Sequence, residues 1–299
     1  MTPRNIFLRK NTRFSIAGAT LALPLALAGC TSATTSAPET TPATAPAATS
    51  QHVHGIYVDQ VSSKVLLATH EGLYDATSKT PVKVSTDTID LMGFTPTADP
   101  EVFYGSGHPG PGSALPNPVG LIRSTDAGKT WERLSRQGKS DFHALSATDH
   151  GLVAFDGKLS TSADGITWEK SSASFSPAVL AGNPATSVVL ATTQQGLQRS
   201  INSGKTWGAV PDAPLMQFVA FAPSPEKAPT DAVGIAPDGS VHISTDAGLT
   251  WTPTGRVESE VQALTALAGD SCKPAIWVST ATGVQSSSDG GATFGPATP

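Results

Sequence analysis

The sequence predicts an all-β chain, a β-propeller of about six four-stranded blades, with seven as the alternative count. Three observations carry that prediction. An octet ending in Trp or Phe recurs with its aromatic residues 37, 39, 44 and 43 positions apart. Short apolar segments precede the copies at matching intervals. Only 14% of residues are charged while Gly and Pro number 28 and 24, which suits many short strands joined by tight turns. Units of about 40 residues holding four strands each are the pattern of propeller blades.

The chain begins with export signals rather than fold. Arg4, Arg9, Lys10 and Arg13 form a basic head without an acidic partner, and an apolar run from Phe14 to Ala28 follows. A charged head, a short apolar core and small residues at a cut site describe a secretory signal. The run is short for a membrane-spanning helix, which needs roughly 20 apolar residues. Leu27-Ala28-Gly29-Cys30 resembles the bacterial lipobox, which implies that Cys30 becomes the lipidated first residue, anchored to the outer face of the cell membrane. The paired arginines of twin-arginine export are absent around Thr12-Arg13-Phe14. Residues 1–29 are therefore read as signal peptide, 30–50 as lipidated Cys and disordered tether, and 51–299 as propeller. The tether is Thr, Ser, Ala and Pro with one charge, Glu39, too polar to offset its ordering entropy. With Cys30 lipidated, Cys272 has no disulfide partner and reads as an incidental thiol in a turn. Loss of the four leader cations leaves 15 Lys+Arg against 24 Asp+Glu, a net charge near −9. No basic footprint for nucleic acid remains.

The octet reads Ser124-Thr-Asp126-Ala-Gly128-Lys-Thr130-Trp131 and Ser200-Ile-Asn202-Ser-Gly204-Lys-Thr206-Trp207. It returns as Ser244-Thr-Asp246-Ala-Gly248-Leu-Thr250-Trp251 and Ser287-Ser-Asp289-Gly-Gly291-Ala-Thr293-Phe294. A copy one residue shorter holds Asp164 and Trp168. Asp or Asn can bond the turn backbone through its side chain, and Gly supplies positive φ. The aromatic then opens a strand and buries between units. This pattern resembles the Asp-box of sialidases, the sortilin ectodomain and photosystem II assembly propellers. The carboxylates at Asp126, Asp164, Asp246 and Asp289, with the Asn202 amide, read as structural.

Inner strands are expected at Val53–Val58, Leu91–Thr95, Phe142–Ala147, Ala178–Ala181, Phe218–Phe221 and Ala263–Leu267. The first unit has Gly72-Leu73-Tyr74 but no octet. The chain after Phe294 is short, so an N-terminal strand is expected to complete the last blade.

Blade topology then places the histidines. The octet joins strands three and four, so the start of strand one and the loop from strand two to three lie on the opposite face. His52 and His54 open strand one of the first unit, and His70 lies in its second-to-third turn. His108 belongs to the corresponding loop of the second unit, enlarged through Pro118, and His143 opens the third. All five are expected to converge there, whereas His150 and His242 are not. Aligned inner strands yield one column of His52, Asp90, Asp141, Met216 and Glu260. Two residues on, a second column holds His54, Met92, His143 and Gln262. Imidazole, thioether and carboxylate are metal ligands, and His with Met suits copper or zinc. The same column also fits a wet channel, or a polar ligand site without metal.

His52-Val-His54-Gly55, the Gly107–Ser113 and Leu115–Pro118 segments and Asp141-Phe-His143 resemble a family of secreted bacterial propellers commonly labelled glycosyl hydrolase. That resemblance spans nearly all of 51–299 and implies a sugar hydrolase without assigning catalytic residues. Sialidase chemistry, marked by three carboxylate-clamping arginines, finds no match in Arg123, Arg133, Arg136, Arg199 and Arg256. A two-carboxylate glycosidase needs acids about 5–10 Å apart, for which Asp90 and Asp141 are the candidates. The leading expectation is a non-catalytic surface lipoprotein whose channel mouth, marked by His52, His54, His70, His108, His143 and Met92, binds a ligand, metal ion or protein partner. Its alternatives are a glycoside hydrolase and an assembly scaffold for a membrane protein complex.

Overall fold

The first inner strand, β1 (Val53–Val58), bonds β2 (Val65–Thr69), which bonds β3 (Gly72–Asp75) and then β4 (Val82–Lys83), all antiparallel. Five further units repeat this order. The second comprises β5 (Ile89–Pro96), β6 (Phe103–Pro109), β7 (Leu121–Ser124) and β8 (Glu132–Ser135). The third comprises β9 (Ala144–Thr148), β10 (Gly151–Phe155), β11 (Leu159–Ser162) and β12 (Glu169–Lys170). In the fourth are β13 (Val179–Gly182), β14 (Val189–Thr193), β15 (Gly196–Ser200) and β16 (Gly208–Ala209). In the fifth are β17 (Phe218–Phe221), β18 (Ala232–Ile235), β19 (Ser240–Ser244) and β20 (Thr252–Arg256). The last holds β21 (Val261–Leu267), β22 (Ala275–Thr280), β23 (Gly283–Ser287) and β24 (Gly295–Pro296). The computed structural model describes residues 52–223, 231–269 and 273–297. The signal, the tether, Cys30 and Cys272 lie outside them.

Six four-stranded sheets make a six-bladed propeller, so the seven-blade count is set aside. The expected N-terminal closing strand is also corrected. The last blade takes its fourth strand from its own end, with Gln285 and Ser286 pairing Pro296 and Gly295. An apolar interface closes the ring instead. Val53, Ile56 and Val58 of β1 cluster with Ala263 of β21. The other five junctions are of the same kind, as where Leu66 and Leu73 meet Leu91 and Phe103, or Leu190 meets Met216 and Val219. Each fully buried Leu or Phe contributes about 1.5–3 kcal/mol, so closure does not require strand exchange. Second strands such as β2 and β14 are buried at every position because each lies between two neighbouring sheets.

The octet turns show why their residue types recur. Asp126 Oδ1 accepts from the Thr130 N–H at 2.9 Å, its Oδ2 accepts from Thr130 Oγ1 at 2.6 Å, and Ser124 Oγ accepts from the Gly128 N–H at 2.8 Å. Asp246 and Asp289 repeat the pattern, and Asn202 Oδ1 accepts from the Thr206 N–H at 2.9 Å. In the shorter copy Asp164 Oδ1 takes the N–H groups of Ile166 and Thr167. Gly128 has φ +84°, and a Cβ there would lie 2.2 Å from Leu73 Cδ2 in the preceding blade. The aromatics pack at blade junctions: Trp131 against the first, Trp168 against the second, Trp207 against the third, Trp251 against the fourth and Phe294 against the fifth.

Three inner strands carry a register shift at the same end of the channel. In β1 it falls between Val53 and Gly55, at His54; in β5 between Asp90 and Gly93; in β21 between Val261 and Ala263, at Gln262. A β-bulge bends its strand and re-aims a side chain. Here the bulges fall at His54, at Leu91–Met92 and at Gln262.

Candidate functional site

At this end His54, Met92, His143 and Gln262 all line a central channel of about 240 Å³. Gln262 Oε1 accepts from the Val53 N–H at 3.3 Å, tying the last blade to the first beside His54. Two imidazole–carboxylate clusters stand at the rim.

The first joins blades one and two. His54 comes from the β1 bulge, His70 from the turn between β2 and β3, and Asp90 from β5. Asp90 Oδ1 lies 3.0 Å from His70 Nδ1 and 3.6 Å from His54 Nε2, and the two nitrogens are 3.4 Å apart. Among the described residues, His54, His70 and Asp90 offer one ligand atom each, all within 4.8 Å of one another. His52 packs its ring on this cluster, with centroids 4.7 Å from His54 and 5.9 Å from His70. Burial pushes the His54 imidazole down to about 4, helped by neighbouring His70 and His52 and opposed by Asp90.

The second cluster joins blades two and three. Asp141 precedes β9, and its Oδ2 lies 3.0 Å from His108 Nε2 and 2.8 Å from His143 Nε2. Its Oδ1 is buried and has no hydrogen-bond partner. His108 stands at the end of β6 directly opposite Asp90, a correction to its expected place in the enlarged loop. Its Nδ1–H donates to Asn117 Oδ1 at 2.7 Å. That hydrogen bond raises the His108 pKa, burial opposes it, and Asp141 and Asp90 reinforce it. Gly107 makes the placement feasible: its φ is +145°, and a Cβ there would fall 1.8 Å from the Asp90 carbonyl oxygen.

No family model matches this chain, and no curated protein matches it. Among solved structures it is similar to the GH74 xyloglucanase from Xanthomonas campestris, with 14% identity and a TM-score of 0.56 over 84% of this chain and 38% of that one. It is similar also to the GH74 enzyme of Niastella koreensis, with 17% identity and a TM-score of 0.53 over 82% of this chain and 38% of that one. The chain is a β-propeller. It spans well under half the length of either enzyme, and at such identity the likeness shows the fold alone.

Other sequence candidates fall elsewhere. Met216 leaves the expected column: it is 4% exposed, packed in the core over Gly234 and Trp251. Glu260 is exposed, and blade four supplies no polar counterpart to the histidines at the channel wall. His150 pairs with Asp149 at 2.7 Å, and His242 lies in β19 opposite Pro253. Arg123 bonds Glu132, Arg199 Nε donates to the Ala247 carbonyl, and Arg136 bonds Ser140. None of these arginines lines the channel. The sequence reading missed Asn117, a polar residue in a Pro- and Gly-rich loop nine positions from the imidazole it holds.

Proposed function

We propose that this chain is an exported, lipid-anchored propeller of the Asp-box (BNR/sortilin-like) type whose channel mouth binds a divalent transition metal, zinc or copper. His54, His70 and Asp90 are its ligands. One observation carries the reading: the three donor atoms form a triangle with edges of 3.0, 3.4 and 3.6 Å. A tetrahedral ion with bonds of 2.0–2.1 Å keeps its ligand atoms roughly 3.3 Å apart, so the triangle is already near the required size. Three protein ligands leave one position for water, a small molecule or a partner's side chain. His52 stands beside the triad, and Met92 follows it down the channel as a soft donor for copper. The anchoring part rests on Leu27-Ala28-Gly29-Cys30 and the basic head before it.

Metal content of tag-free protein, after dialysis with zinc or copper, tests the site. Bound ion is expected in the wild type and lost from His54→Ala/His70→Ala; equal content in both sinks the assignment. Cys30→Ser is expected to release the protein from membranes.

Glycoside hydrolysis is the second reading, favoured by the GH74 enzymes among the similar structures. Its acid pair would be Asp90 and Asp141, each of which stands against two imidazoles.

A further inference from the structure

We propose that the central channel binds a linear carboxylate of medium chain length, with its hydrocarbon tail in the bore and its carboxylate at the histidine mouth. The head-group half rests on the metal site proposed above, whose open position suits a carboxylate oxygen. The tail half rests on the bore alone.

The character of the bore is the first observation. Among the described residues no Asp, Glu, Lys or Arg lines it, and its two imidazoles, His54 and His143, both stand at the mouth. Beyond them Phe94, Val179, Phe218 and Leu264, from blades two, four, five and six, line the channel while only half-buried. Apolar side chains left open to solvent inside a concave site, with a few polar groups at one end, are the usual make-up of a small-molecule pocket. An apolar chain that displaces water from such a wall is held by the hydrophobic effect. The dimensions suit a slender ligand. Gln262 and Leu267, near the two ends of β21, both line the channel, and five residue steps at about 3.3 Å span roughly 16 Å. The volume of about 240 Å³ takes about eight groups of water size. An extended octanoate meets both limits.

The hydroxyls of the wall are the second observation, because they are engaged within the protein. Thr95 Oγ1 accepts from the Ala147 N–H at 3.1 Å and donates to the Pro96 carbonyl at 3.2 Å, which ties blade two to blade three. Ser146 Oγ accepts from the Gly182 N–H and ties blade three to blade four. Thr97 Oγ1 donates to the Val102 carbonyl at 3.0 Å, and Tyr57 OH donates to Asp59 Oδ2 at 3.1 Å. These bonds hold neighbouring strands together and leave a ligand mainly apolar surface along the bore. A sugar would find few partners there for its hydroxyls, and each one left unpaired would cost affinity. A ligand polar at one end alone matches the channel.

Dependence on chain length decides the matter. Acetate, butanoate and octanoate are titrated calorimetrically into tag-free exported chain, once loaded with Zn²⁺ and once zinc-free. Each added CH₂ is expected to tighten binding about three- to fourfold in both preparations, so octanoate exceeds butanoate by on the order of 100-fold. Zinc should add a further gain for every probe, and His54→Ala/His70→Ala should lose that gain while keeping the dependence on chain length. Ala178 is exposed, precedes β13 and lines the channel. Ala178→Trp should plug the bore and abolish the dependence on chain length with zinc content unchanged. Leu264→Asn, deeper in the bore, gives a second route if Ala178→Trp folds poorly, and the thermal midpoint of each variant monitors folding. Equal affinity for the three probes overturns the proposal, and the zinc content of the wild type then reports on the metal site separately. Dependence on chain length in a chain that takes no zinc overturns the metal site and the head-group half, and supports the tail in the bore. Dependence that survives both Ala178→Trp and Leu264→Asn places the probe elsewhere on the surface and overturns the proposal.

Discussion

Asp90 and His108 sit directly opposite one another in the β5–β6 ladder, the only pair that links the two rim clusters through one set of backbone hydrogen bonds among the described residues. Asp90 reaches back to His54 and His70 in blade one, and His108 reaches forward to Asp141 in blade three. A bulge in β5 and a glycine in β6 make that geometry. Disturbing either is expected to separate the clusters.

Gly107→Ala is the most direct disturbance. The added Cβ would lie 1.8 Å from the Asp90 carbonyl oxygen at a φ of +145°, which L-residues rarely adopt. The backbone must move, at a cost of about 2 kcal/mol or more. For a domain of this size that lowers the thermal midpoint by about 4–8 °C. Zinc binding at His54, His70 and Asp90 should weaken with it. An unchanged midpoint in differential scanning calorimetry would show that the loop absorbs the methyl group.

Asn117→Ala tests what holds the His108 ring. Asn117 Oδ1 stands 2.7 Å from His108 Nδ1, and that hydrogen bond is the largest influence raising the His108 pKa. Its loss is expected to lower the His108 pKa, read by NMR titration of the ring protons. Asn117→Asp, which keeps an oxygen acceptor, should hold the pKa up. An unchanged His108 pKa in Asn117→Ala would remove the role given to Asn117.

The blade count was legible because its signal is repeated: four octets and one shorter copy report one turn, and each apolar inner strand is spaced with them. The face on which the five imidazoles gather followed from strand order alone. What escaped was anything carried by a single residue out of step. A bulge at His54, Met92 or Gln262 leaves no trace in a period-two pattern, because one extra residue looks like an ordinary strand. Met216 occupied the right column but turns into the core, where Gly234 leaves room for its sulfur. Asn117 was invisible because its partner is set by a loop path rather than by periodicity.

Acid stability should depend on the turn carboxylates. Asp246 is held down to about 2, with hydrogen bonds from Thr250, Ser244 and Leu249 outweighing burial. Asp289 and Asp126 are lowered for the same reason. A carboxylate whose folded pKa lies below its unfolded value near 3.8 stabilises the fold above that value. The contribution falls away as pH drops from about 4 toward 2. Asp246→Asn should therefore flatten the pH dependence of urea unfolding over that window while costing little at pH 7, because Asn202 performs the same turn in blade four. Asp246→Ala leaves several donors without an acceptor and should cost on the order of 1–2 kcal/mol after allowing for solvent screening. Identical pH profiles for wild type and Asp246→Asn would contradict this assignment.

Ser171 reports on how neighbouring blades are joined. Its buried Oγ donates to the Gly204 carbonyl at 2.6 Å and accepts from Trp207 Nε1 at 3.1 Å, crossing from blade three to blade four. Ser135 makes the equivalent pair of bonds to Gly165 and Trp168 one junction earlier. Ser171→Ala leaves a buried carbonyl without this donor, at about 1–3 kcal/mol. Hydrogen exchange should quicken at the blade three–four junction ahead of the rest of the ring. Uniform acceleration would mean that the junction opens only with global unfolding.

The last test concerns hydrolysis of sugars. A glycosidase acid pair must present two carboxylates to opposite sides of a scissile bond, about 5–10 Å apart, with a lone pair or proton aimed at the substrate. Asp141 has no oxygen free for that: Oδ1 is buried, and Oδ2 lies between His108 and His143. Asp90 Oδ1 is likewise covered by His70 and His54. Wild-type protein, Asp90→Asn and Asp141→Asn are therefore expected to release reducing ends from xyloglucan at the same background rate. A wild-type rate above background that drops at least 100-fold in both variants would instead make these aspartates the catalytic pair, and their imidazoles the groups that position them.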